Sequence, residues 1–87
     1  LVFVKNINFD KIFNTIINID FPMGKIKSFY YFESDRWDIV LKNEKIIKLP
    51  IKNYSEALKN FILINKDKNF EKFSSFDYRI KDQLILK

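Results

Sequence analysis

The sequence predicts an α+β domain: a mainly antiparallel sheet, in the order strand, helix, three strands, helix, two strands, with two helices packed on one face. Three observations carry this. Between Arg36 and Pro50 apolar and polar residues alternate with the period of two that marks a half-buried strand. Before and after that stretch, apolar residues recur instead at helical spacing. Consecutive strands joined by tight turns pair antiparallel, and an apolar sheet face needs a helical layer to cover it.

In chain order, Leu1 to Lys5 (LVFVK) reads as a short apolar strand, broken by Asn6 to Asn8. Phe9, Ile12, Phe13, Ile16 and Ile17 then form the stripe of an amphipathic helix. Asn8 is placed to cap its start and Asp10 suits its first turn. Asp20 to Gly24 (DFPMG) ends the helix and turns the chain. Lys25 to Glu33 (KIKSFYYFE) is an extended run. Alternation puts Ile26, Tyr30 and Phe32 on one face and Phe29 and Tyr31 on the other. Aromatic residues on both faces imply that each face is covered or meets something. Ser34-Asp35 is a turn.

The stretch from Arg36 to Pro50 is the centre of the fold. Trp37, Ile39 and Leu41 share one face, and Arg36, Asp38 and Lys42 share the other with Val40. Asn43-Glu44 is the turn, with Asn43 expected to take the left-handed backbone that Asn tolerates. Lys45 to Leu49 returns with Ile47 and Leu49 on one face and Ile46 opposite; Pro50 cannot donate to a ladder and stops it. Lys25 to Leu49 is therefore a three-stranded meander.

Asn53 followed by Glu56 resembles a capping box, and Tyr54, Ala57, Leu58 and Phe61 follow at helical spacing, so a helix is expected from about 53 to 64. Phe73 to Ile80 (FSSFDYRI) reads as a strand with Phe76, Tyr78 and Ile80 inward and Asp77 and Arg79 outward. Lys81-Asp82 turns the chain into a last apolar strand, Gln83 to Lys87. The expected core is Trp37, Ile39, Leu41, Leu49, Leu58, Phe61 and Phe76.

With 87 residues the chain makes one domain, residues 1–87, with one core. The sequence contains no 18-residue apolar run and no signal-peptide pattern, and with Leu1 in place of an initiator Met it reads as a fragment of something longer. Catalysis has few candidates. There is no Cys and no His, so thiolate metal sites and imidazole chemistry are excluded. The single Gly24 leaves no phosphate-cradling loop, and Ser34, Ser55, Ser74 and Ser75 have no His to activate them. No catalytic residue, metal ligand or cofactor is expected, and the chain is read as no enzyme.

Two binding readings follow. The net charge is +5, from 16 basic and 11 acidic residues, and Lys25, Lys27, Phe29 and Tyr31 interleave charge with aromatic rings. That would suit a basic module for single-stranded nucleic acid. The plainer account is that the lysines are scattered over a solvated surface while the rings pack on a neighbouring strand or domain. The second reading is strand addition. Gln83, Leu84, Ile85, Leu86 and Lys87 can lie at a sheet edge, where another chain can pair through main-chain hydrogen bonds. The alternative is that this strand is internal and merely closes the core.

Arg36 to Asn43 (RWDIVLKN) with Lys48-Leu49-Pro50 resembles the "RRWDLxLxxGxxVxLP" stretch of the bacterial cell-division protein FtsQ, or DivIB, in its alphaproteobacterial form. Ala57-Leu58 is similar to that family's "EALxxL" helix, and Phe76 to Leu84 (FDYRIKDQL) to its "IDLRLPDRL" segment, with order and spacing held from Lys25 to Lys87. Glu44 stands where the family usually has Gly, Tyr78 where it has Leu and Lys81 where it often has Pro. The resemblance implies the β domain of a single-pass inner-membrane protein, lying in the periplasm, with the transmembrane helix and POTRA domain absent from this chain. It implies a non-enzymatic divisome scaffold that recruits the FtsB–FtsL pair, by addition of a partner strand to its last strand during septum formation. Other divisome proteins are possible partners; nucleic acid is not one. Carried over, the edge is Leu84 to Lys87 beside Gln83, the polar and aromatic contacts before it fall on Arg79 and Ile80, and a basic contact on an earlier strand falls on Lys27.

Overall fold

A computed structural model describes residues 7–87. The expected strand Leu1 to Lys5 lies outside the described residues. The elements are α1 (Ile7–Asn18), β1 (Ile26–Phe32), β2 (Arg36–Leu41), β3 (Ile46–Lys48), α2 (Tyr54–Ile64), β4 (Ser75–Asp77) and β5 (Ile85–Leu86). The strands form one sheet in the order β1-β2-β3-β4-β5. Its pairings are antiparallel except β3–β4, which α2 joins as a parallel crossover. The fold is α+β, as the pattern of periods predicts.

One side of the sheet carries the core. Trp37, Ile39 and Leu41 of β2, Ile47 and Leu49, and Phe76 and Tyr78 meet Ile12 and Ile16 of α1 and Ala57, Leu58 and Phe61 of α2 in a single buried cluster. All seven expected core residues are buried. Phe61 has its ring edge-on to Phe76 at 4.9 Å and stacked with Phe21 at 6.3 Å, tying α2 to the sheet and to the exit of α1. Among the described residues no helix is long and apolar enough to cross a membrane.

The exit of α1 shows how the chain turns with so little glycine. Asp20 takes φ 60°; its N–H donates to the Ile17 carbonyl and the Phe21 N–H to the Ile16 carbonyl. These two bonds close a Schellman motif, and Ile16 and Phe21, the two apolar positions that flank it, both belong to the buried cluster. Asn8, expected as the cap of α1, lies inside the helix.

Four further expectations are corrected. In β1 the register shifts between Ile26 and Ser28, a β-bulge that puts Ile26 opposite Leu41 on the core side, away from Tyr30 and Phe32. In the β2–β3 turn, Glu44 and not Asn43 takes the left-handed backbone, at φ 70°. Asn43 instead uses its side-chain oxygen to accept from the Lys45 N–H at 3.1 Å, an Asx turn that leaves the next residue to reverse the chain. Asn53 is not a side-chain cap: at φ 61° and ψ 30° it is left-handed, whereas a capping side chain needs extended backbone, and Glu56 pairs with Lys59 at 3.7 Å. The run after Phe73 is strand only from Ser75 to Asp77. There the Asp77 carboxylate accepts the Arg79 N–H at 3.0 Å, which pulls the chain out of the ladder and leaves Ile80 half exposed rather than inward.

Candidate functional site: the β5 edge and the groove beside it

β5 closes one side of the described sheet and pairs only with β4. The pairing register determines which of its main-chain groups are spoken for. Ser75 and Lys87 exchange both backbone hydrogen bonds, at 3.2 and 3.1 Å. In an antiparallel ladder such pairs alternate with pairs that exchange none. Phe76↔Leu86 is therefore a non-bonded pair and Asp77↔Ile85 the next bonded one. The N–H and C=O of Leu86 therefore point away from β4. The side chains of Leu84 and Leu86 pack on the core, while Ile85 faces the other side of the sheet beside Asp77.

The approach to this edge is held by charge. Arg79 donates to both oxygens of Asp77, Nε to Oδ1 at 2.8 Å and Nη2 to Oδ2 at 2.6 Å. These bonds hold the Asp77 carboxyl below its ordinary value of 3.8, since they favour the ionised form. Arg36 pairs with Asp38 at 2.5 Å and lies 4.1 Å over the Phe32 ring. Asp38 is only 8% exposed, and burial pushes its carboxyl up although Arg36, Lys48 and Arg79 pull it down. Across the outer face the register sets Tyr30, Asp38, Lys48, Asp77 and Ile85 in one row. Opposite charges thus stand side by side on neighbouring strands.

Between this segment and the start of α2 runs a groove of about 850 Å³. Arg36, Pro50 to Asn53, Glu56, Asn60 and Tyr78 to Leu84 line it. Tyr78 is buried against the core and its hydroxyl donates to Asn60 Oδ1 at 2.8 Å; burial raises the phenol pKa further. Two exposed isoleucines, Ile51 and Ile80, are among the residues that line it.

Of the residues expected from the sequence, Arg79, Ile80, Gln83 and Leu84 line the groove; the expected last strand, Gln83 to Lys87, is strand only at Ile85–Leu86, with Lys87 bonded to Ser75, because the turn at Lys81-Asp82 brings the chain beside β4 late. Lys27 does not join them. It lies on β1, at the opposite side of the sheet, and its ammonium is 3.1 Å from Glu44. The interleaving of Lys25 and Lys27 with Phe29 and Tyr31 is also broken, because the bulge interrupts the alternation. Phe29 sits edge-on to Phe9 at 5.3 Å and to Trp37 at 6.2 Å, inside the molecule. Arg36, Asn60 and Ile51 are groove residues that sequence reading missed. Only the outward phase of Arg36 in its strand hinted at such a role.

Among the described residues no cluster of three His, Cys, Asp or Glu is placed to hold a metal ion. Comparison with family models, with curated proteins and with solved structures finds no match to this chain.

Proposed function

We propose that this chain is the periplasmic β domain of an FtsQ/DivIB-type protein and acts as a non-enzymatic docking module of the cell-division machinery. In this reading it recruits the FtsB–FtsL pair by accepting a strand of FtsB alongside β5, within a single-pass protein of the inner membrane. The observation that supports it is the position of β5. The strand lies at the margin of the described sheet with the main-chain groups of Leu86 directed outward. Two neighbours for this strand would have removed the reading.

Strand addition needs no reactive side chain. Main-chain bonds supply affinity, and pockets beside the edge supply selectivity. The groove provides such a pocket, with the apolar walls Ile51 and Ile80 and the basic groups Arg79 and Lys81. Because Arg79 is 44% exposed and already bonded to Asp77, an added carboxylate on the partner would contribute only ~0.2–1 kcal/mol. Most of the affinity then falls to the backbone ladder and the apolar walls.

The test is a pair of substitutions at one position. Leu86→Pro removes an outward N–H, whereas Leu86→Ala keeps it and loses only side-chain packing. Titration with a synthetic FtsB-like strand peptide should show binding to the wild type and to Leu86→Ala, and none to Leu86→Pro. Equal affinity for both variants, with circular dichroism unchanged, would refute strand addition at this edge.

A further inference from the structure

The sheet has a second margin. β1 is seven residues long against two for β5, and among the described residues no strand pairs with its outer side. Long apolar edges are usually blunted, because their unpaired main-chain groups template association. β1 is blunted only at its start, by the bulge at Lys27. From Ser28 to Phe32 it is regular, and its outer-facing rings are exposed: Tyr30 at 55% and Phe32 at 38%.

The flanking charges select the occupant. Lys27 stands just before the regular segment and Glu33 just after it, both exposed. A strand that is basic at its start and acidic at its end complements itself when reversed. We propose that β1 pairs antiparallel with β1 of a second copy of this chain, about a two-fold axis at Tyr30. That register sets Tyr30 opposite its own counterpart, Phe29 opposite Tyr31, Ser28 opposite Phe32, and Lys27 opposite Glu33 at both ends. Each directly opposed pair has both side chains on the same face of the joined sheet, so ring meets ring on each face. The Lys27–Glu44 pair within one chain is 54% and 74% exposed, so Lys27 can exchange it for Glu33 of the second copy at little cost. The interface is isologous, closes on itself, and leaves β5 open in both copies.

The charges make the register testable. The Lys27→Glu chain sets Glu against Glu at both ends of a self-pair, and the Glu33→Lys chain sets Lys against Lys. Mixed together, the two variants form a heterodimer in which both contacts are again opposite in sign. Sedimentation velocity of the full chain, from low micromolar to near-millimolar concentration, should show a monomer–dimer equilibrium. Each variant alone should weaken it about tenfold or more, and the equimolar mixture should restore it. A chain that stays monomeric throughout overturns the proposal. So does a dimer that either variant leaves intact, or one that Leu86→Pro abolishes, which would assign association to β5.

Discussion

At Glu44 the chain spends conformational energy for a turn. A non-glycine residue in the left-handed region costs about 1–2 kcal/mol, part of which glycine would return through its larger entropy loss on folding. Glu44→Gly should therefore raise the unfolding free energy by about 0.5–1 kcal/mol in urea titration, because the exposed pair with Lys27 is worth less than the relief. A loss of stability would mean that the ion pair, and not the backbone, governs the turn. Asp77 offers a second test. Its folded carboxyl lies below 3.8, so its ionised form stabilises the fold above that value, and the contribution is lost as pH falls through the lower folded value. Asp77→Asn should cost roughly 1 kcal/mol at neutral pH, and the gap from the wild type should close only below about pH 4. Asp38 has the opposite sign. Its raised carboxyl favours the fold in the neutral form, fully below 3.8 and progressively less as pH rises through the folded value. Acid unfolding of this chain is thus a contest between neighbours on one face.

At the scale of the element, α2 sets buried and exposed positions side by side within one helix. Ala57, Leu58 and Phe61 are buried while Leu63, near its end, is 68% exposed. Phe61→Ala should cost about 3–5 kcal/mol, a large share of the stability of a domain this size. Phe61→Leu, which keeps most of the volume, should cost about 1 kcal/mol and keep the chain folded for comparison. Leu63→Ala should stay within about 0.5 kcal/mol. Chemical unfolding followed by circular dichroism separates these three, and equal effects at positions 61 and 63 would contradict the packing described. The periodicity of α2 was plain in the sequence, since Tyr54, Ala57, Leu58 and Phe61 repeat at helical spacing. Its start was not. Asn53 looks like a cap by type and spacing, but the turn after Pro50 takes it left-handed, and that depends on where β3 hands the chain to the groove wall.

For the whole molecule, the two margins of the sheet define its outward character. β5 is short and its hydrogen bonds to β4 are few, so its amides should exchange fast in the free protein. An added strand should protect Leu86 specifically, because its N–H is the outward one in β5; protection of Ile85 and Lys87 alone would place the peptide elsewhere. Hydrogen exchange resolved by residue, with and without the peptide, distinguishes the cases. The same experiment reports on β1, whose Ser28 to Phe32 amides should gain protection with rising protein concentration if copies pair there.

The alternation around Trp37 and the helical repeats of α1 and α2 were enough, by themselves, to determine the α+β class, the order of elements from α1 onward, the core face and part of the core, Trp37, Ile39, Leu41, Leu49, Leu58, Phe61 and Phe76. Burying apolar side chains is a local demand that each element writes into its own period. What the sequence left open was decided by contacts distant along the chain. The parallel joining of β3 to β4 puts β5 at the margin, the bulge re-aims Ile26, and the Asp77–Arg79 clasp ends β4 early and exposes Ile80. Lys27 was separated from the other candidate residues for the same reason. Which strands lie side by side is a property of the assembled sheet, and no periodicity within a strand encodes its neighbours.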